Sequence, residues 1–317
     1  MSPRLRGLLI ALAGTTAWAF TGILMDILLS RYPLAPLTLA FWRDLLVGGA
    51  LAALLAVFRP AALRFARRDL PFLMVYGFGG LAIFNACWAF SVRFNGAAVA
   101  TVLAYSSPAF TVLLGRLFLR EPLTARKGVG AALSLVGCAL VADAFRAEAW
   151  RVNGIGIGVG LATGLAFAFY SLAGRWSAQR FASAWTVTAY GFLFAAGSLL
   201  VLQSLPVFAG GPPLAALFSL GTAWEGWGLL VFLALAPSLS GFGLYTLSLR
   251  YLPAGVASLI AALEPALTAL FAIPILGRGL EAGQWAGTGL ILLAVMLVQW
   301  AELRASQPAP APITFPQ

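Results

Sequence analysis

The chain is 317 residues long, 61% hydrophobic and 9% charged, with a mean hydropathy of +0.93. A soluble domain carries about 25% charged residues, so the composition excludes an ordinary water-soluble protein and points to one built for lipid. The formal net charge of +10 does not mark a nucleic-acid binder: nineteen of the twenty basic residues are arginines dispersed in short connectors, not gathered on one folded surface.

The N-terminus, "MSPRLRGLLIALAGTTAWAFTGILMDILL", begins like a secretion signal. Its apolar run of about 23 residues exceeds the 7–15 of a signal's apolar region, so it reads as the first membrane helix. Apolar windows then predict ten spans: 7–29, 36–58, 71–92, 96–118, 125–143, 152–173, 183–205, 228–249, 254–276 and 282–301. The tail "SQPAPAPITFPQ", within 302–317, is Pro/Ala-rich and expected to be disordered. With both termini cytoplasmic, fourteen basic residues fall on inner segments and five on outer ones, leaving Arg43 within a helix. That bias predicts termini on the cytoplasmic side. Trp150, Trp176, Trp185, Trp224, Trp227, Trp285 and Trp300 lie near span ends, where amphipathic rings favour the interface, whereas Trp18 lies mid-span. Cys87 and Cys138 fall inside spans, so no disulfide framework, metal site or cofactor is expected.

The second half repeats the first. "RFNGAAVATVLAYSSPAFTVLL" from Arg93 aligns without a gap on "RYLPAGVASLIAALEPALTALF" from Arg250, an offset of 157 that pairs Pro108 with Pro265 and Gly130 with Gly287. Five spans per copy is an odd number, so the second copy enters the membrane from the opposite side. Inverted repeats of this kind build many secondary transporters, with the substrate site near the midplane between halves. The expected organisation is a five-helix repeat over 1–143 and an inverted one over 152–301. The Gly-rich "GIGIGVGLATG" (154–164) has no preceding strand, so it reads as a close helix-packing seam and not as a nucleotide loop.

The stretches "FWRDLL" (41–46), "SSPAFTVLLGRLFLREPLTARKGVGAALSLVG" (106–137) and "LEPALTALFAIPILGRGLEAGQWAGTGLILLA" (263–294) resemble the drug/metabolite transporter superfamily, in particular its ten-helix EamA-type exporters. "GTTAWAFTGIL" and "IFNACWAFSVRFNGAAVATVLAYSSP" are similar to the branch that exports aromatic amino acids. The resemblance implies an all-α inner-membrane exporter working by alternating access, with a central cavity formed by helices 1, 3, 4, 6, 8 and 9. The first copy keeps the family's acid at Glu121. The second has Arg278 there and Glu281 three positions later, so no symmetric role of the acid is expected.

Several residues are candidates for the path. Glu264 lies about ten residues into helix 9, and an intramembrane carboxylate is a functional hypothesis by default. It serves a substrate amine or a proton, or else caps backbone donors where Pro265 disturbs the helix. Its repeat partner region offers Ser106, Ser107 and Pro108. Arg43 serves a substrate carboxylate or, more simply, pairs with Asp26 at similar depth; the adjacent Asp44 points about 100° away on a helix and needs another partner. On the helices assigned to the cavity stand Trp18, Tyr76, Trp88, Tyr105, Phe169, Tyr170 and Tyr245, with Asn85 and Ser240. Aromatic walls with a few placed polar groups suit an amphipathic small molecule. The chain lacks histidine, which excludes Ser-His and HExxH hydrolysis, and a single intramembrane arginine argues against a nucleotide-sugar carrier. The expected partners are an amino-acid substrate and the lipid bilayer, with no nucleic acid, for a chain acting as a monomer.

Overall fold

The computed structural model describes residues 2–145, 154–181, 183–204, 217–276 and 280–304. All regular structure in these residues is helical, as lipid demands: an apolar solvent cannot satisfy a free amide or carbonyl, so each segment must bond its own backbone. In chain order come α1 (Pro3–Arg31), α2 (Pro36–Phe58) and α3 (Leu70–Val75), then a π-helical turn (Tyr76–Ala82) and α4 (Ile83–Ala104). There follow α5 (Ser107–Phe118), α6 (Ala125–Val141), α7 (Gly154–Arg180), α8 (Ala184–Ser204) and α9 (Trp224–Leu233). A second π turn (Ala234–Ser238) leads into α10 (Leu239–Ser248), α11 (Ala254–Ala261), α12 (Glu264–Leu276) and α13 (Ala282–Arg304). Eight stretches among the described residues are long and apolar enough to cross a membrane: Pro3–Arg31, Pro36–Phe58, Arg67–Val92, Val99–Phe118, Gly154–Arg180, Ala184–Ser204, Trp224–Ser248 and Ala254–Ile275. The other two predicted spans fall on α6 and on the shorter apolar helix Ala282–Val298. Most of the tail, 305–317, lies outside the described residues.

Local chemistry sets the helix ends. Ser2 Oγ accepts from the Leu5 amide at 3.2 Å with Pro3 in the first turn of α1, and Thr124 Oγ1 accepts from the Lys127 amide at 3.4 Å. One expectation fails. The sequence places a connector at 93–95, but α4 runs through it. At the matching place in the second half Pro253 stands at the N-cap of α11 and the chain does break. The first half has Gly96 at that offset, and glycine costs a helix only about 1 kcal/mol where proline costs about 3. The first half breaks later, at Tyr105–Ser106, ahead of Pro108.

The irregularities recur. α5 and α12 begin 157 positions apart, each with its proline in the first turn, and the two π turns match within a residue at the same offset. Packing partners exchange as well: α1 lies on α10, while α7 lies on the first π turn and α4. α6 crosses α13 at an offset-related pair of glycine contacts. A Cβ on Gly287 would stand 2.6 Å from the Gly137 carbonyl oxygen, and one on Gly130 would stand 2.6 Å from Val298 Cγ2. The glycine-rich stretch is also a seam. A Cβ on Gly160 would meet Leu103 at 2.4 Å, and one on Gly164 would meet Ser106 Oγ at 2.4 Å, so α7 closes on α4 with only hydrogens between them.

Candidate functional site

α2 carries two adjacent buried charges. Arg43 is 4% exposed and Asp44 fully buried, in the middle of a helix whose neighbours are apolar. A charge at this depth needs partners. Arg43 Nε and Nη2 donate to Asp44 Oδ1 at 3.1 and 3.0 Å, Nη2 also donates to Asn85 Oδ1 at 2.8 Å, and Asn85 Nδ2 donates to Asp44 Oδ2 at 2.9 Å. α2 and α4 are thus clasped by a closed ring of three side chains. The expected Arg43–Asp26 pair is not made, and Asp26 is exposed. The helical angle between adjacent positions holds for Cβ atoms, but a four-bond arginine side chain folds back across it.

The second feature is the break between α11 and α12. Residues 262–263 form a turn, with the Ala262 amide donating to Ser258 O at 3.1 Å and the Leu263 amide to Ile260 O at 3.0 Å. Glu264 opens α12 and Pro265 follows. There the missing N–H of proline removes no helical bond. Pro265 and its counterpart Pro108 are buried. The Tyr105 hydroxyl, from the matching break in the first half, interacts with the Glu264 carboxylate, and Arg43 acts on it through space. No backbone amide of the described residues donates to Glu264, so it is not a helix cap. The capping acid is Glu121, whose oxygens accept from the amides of Ala254 at 2.8 Å and Gly255 at 3.4 Å at the start of α11. Sequence reasoning gave Glu121 no role. Its one signal was the family acid in "LREPLT", and nothing local to that stretch shows a partner more than a hundred residues away.

The third feature is aromatic. Trp18 on α1 is 3% exposed, and Tyr76, Tyr170 and Tyr245 are fully buried. Trp18 meets Phe242 at 4.7 Å and Tyr245 at 5.1 Å between ring centres, while Tyr170 meets Tyr76 at 5.1 Å. Such contacts add about 0.5–1.5 kcal/mol each beyond burial. Tyr170 Oη shares a hydrogen bond with Thr246 Oγ1 at 2.7 Å, and Tyr245 Oη with Ser171 Oγ at 2.6 Å. The Trp18 indole N–H is buried without a partner. Gly241 makes room for this ring: a Cβ there would lie 2.3 Å from Trp18 Cδ1. The rings expected to wall a cavity therefore pack against one another.

Not every predicted position joins them. Phe169 is 37% exposed and turned outward, and Phe167 takes its place, 5.5 Å from Tyr245. On α7 the face of Tyr170 continues three residues back, at 167. Ser106 is buried but already donates to Leu103 O at 2.6 Å and fills the seam at Gly164. Trp88 and Tyr105 are partly buried and make no ring contact among the described residues. Ser240 is partly buried, and the buried hydroxyl without a partner on that stretch is Ser238. A separate recess of about 620 Å³ borders Leu113, Arg116 and Leu117 on α5 and Arg120 just beyond it, and shares no residue with the aromatic cluster.

Comparison with known proteins agrees with this architecture. The sequence pattern of the EamA-like transporter family matches residues 5–142 and 154–300. An uncharacterized transporter of Archaeoglobus fulgidus is 25% identical over 89% of this chain and 95% of its own. An uncharacterized inner membrane transporter of Salmonella typhimurium, YicL, is 26% identical over 77% of each chain. A Streptantibioticus cattleyicolor protein described as a "probable terminal-alkyne amino-acid exporter" is 27% identical over 94% of each. A solved crystal structure superposes with a TM-score of 0.78 at 18% identity, over 96% of this chain and all of the other, which is a likeness of fold. The chain belongs to the EamA-like transporter family: it is a multi-pass membrane transporter, not an enzyme.

Proposed function

We propose that this protein exports amino acids, aromatic ones foremost, across the inner membrane of a bacterium by alternating access between two inverted five-helix repeats, 1–143 and 152–301, with both termini cytoplasmic. The observation that carries the reading is Glu264: a carboxylate at a mid-membrane helix break, beside Tyr105 and within the influence of Arg43. It stands where an ammonium group would be met at the border of an aromatic cluster. The recurrence of breaks and π turns at one offset supports the repeat, and the fourteen-to-five distribution of basic residues supports the orientation. The Streptantibioticus cattleyicolor protein described as a "probable terminal-alkyne amino-acid exporter", similar over nearly the whole chain, supports the substrate class.

The test is flux of labelled phenylalanine, tryptophan, threonine and methionine in proteoliposomes, for wild type and Glu264→Gln. Saturable flux, strongest for the aromatic pair and falling about tenfold or more in the variant, is expected from losing one charge-assisted hydrogen bond. Undiminished flux in the variant would make Glu264 structural. If wild type moves none of the four, the substrate is a drug or another metabolite.

A further inference from the structure

A guanidinium carries five N–H groups: one on Nε and two on each terminal nitrogen. In Arg43 the Nε group and both Nη2 groups are engaged by Asp44 and Asn85. Asp44 is engaged in turn through both oxygens, one by Arg43 and one by Asn85. The ring therefore fixes one edge of the guanidinium and leaves Nη1, which makes no hydrogen bond among the described residues. Phe242 lies beneath the group, its ring centre 5.8 Å from the guanidinium carbon. The same ring lies 4.7 Å from Trp18. The free edge thus belongs to the neighbourhood of the aromatic cluster. A third partner is what any buried pair requires; the unused donor edge is the part that stability leaves unexplained.

We infer that the Nη1 edge of Arg43 is the carboxylate subsite of the transport site, so that the species recognised is the zwitterion, its carboxylate at Arg43 and its ammonium at the acid proposed above. This rests on the amino-acid reading above and narrows it. Asp44 and Asn85 are positioning residues: they neutralise the guanidinium and aim it. A carboxylate site alone accepts any amine of suitable shape. Two opposed poles reject both the bare amine and the bare acid, because each leaves one buried pole unmatched. Lysine in place of arginine keeps the charge but lacks the planar fork.

The experiment is competition against labelled phenylalanine uptake in proteoliposomes by phenylalanine, phenethylamine and 3-phenylpropionate. It is run with wild type, Arg43→Lys and Asn85→Ala. In wild type both truncated analogues are expected to compete roughly ten- to hundredfold more weakly than phenylalanine, the range of one lost charged hydrogen bond. Arg43→Lys is expected to raise KM for phenylalanine with Vmax little changed and to narrow the gap to phenethylamine, leaving the gap to phenylpropionate in place. Asn85→Ala, which keeps both charges, is expected to shift the same ratio by less, and it carries the test if Arg43→Lys does not fold. Wild type that transports phenylalanine but takes phenethylamine equally well overturns the carboxylate subsite alone. So does an unchanged ratio in the folded variants. Absence of flux for every amino acid overturns the amino-acid reading and this inference with it.

Discussion

Replacing Asp44 with alanine should be among the most damaging single changes in this protein. Asp44, fully buried, accepts two hydrogen bonds from Arg43 and one from Asn85. Its removal leaves a buried guanidinium with only the Asn85 carbonyl oxygen at 2.8 Å, and it strands the Asn85 amide as well. Breaking a buried pair from one side costs about 3–5 kcal/mol. At roughly 2–4 °C per kcal/mol for a large domain, the melting temperature should fall by about 6–20 °C. The control is the triple variant Arg43→Leu, Asp44→Leu, Asn85→Leu, which removes every member of the ring. Because an apolar replacement of a buried ion pair is often neutral or better, it should melt near wild type while transporting poorly. Thermal unfolding in detergent, followed by size-exclusion chromatography, reads both. An Asp44→Ala protein within about 1 kcal/mol of wild type would refute the argument from buried charge. A triple variant as unstable as the single one would refute it too.

Gly241→Ala should lower stability by about 1–3 kcal/mol, because its Cβ would stand 2.3–2.8 Å from three atoms of the Trp18 ring, which Phe242 and Tyr245 hold in place. Melting curves unchanged by the substitution would show that the ring is free to move. Glu121→Ala should destabilise the start of α11 by about 0.5–2 kcal/mol. The effect is read as faster hydrogen exchange at Ala254 and Gly255, with Glu121→Gln, which retains an acceptor oxygen, falling between the two. Equal exchange in all three proteins would remove Glu121 from the cap.

The prolines and glycines were the most legible part of the sequence, because their effects are local. Pro108 and Pro265 mark two helix starts, and Gly160 and Gly164 mark a seam. Glu264 was legible for the same reason, as one carboxylate in an apolar run beside a proline. What misled was geometry beyond one turn. The Arg43–Asp26 pair rested on depth alone, whereas the actual ring needed a side chain folding back to its neighbour and an asparagine from another helix. Phe169 was chosen by residue type, and the helical phase from Tyr170 selects Phe167. The connector at 93–95 follows from the apolar windows, which do not register that Gly96 lets a helix continue where Pro253 in the second half breaks it.

The crossing of α6 and α13 has a mechanical meaning. At Gly137 and Gly287 each backbone lies against the other's carbonyl oxygen, with 2.8 and 2.6 Å left where a Cβ would be. Ile291 Cγ1, 2.7 Å from the Cβ position of Gly137, and Leu140 Cβ, 2.7 Å from that of Gly287, close the space on either side of this main-chain contact. Side-chain contacts yield by changing rotamer, but a carbonyl oxygen set against a glycine backbone has no rotamer to change. The two helices are thereby braced against each other as one strut.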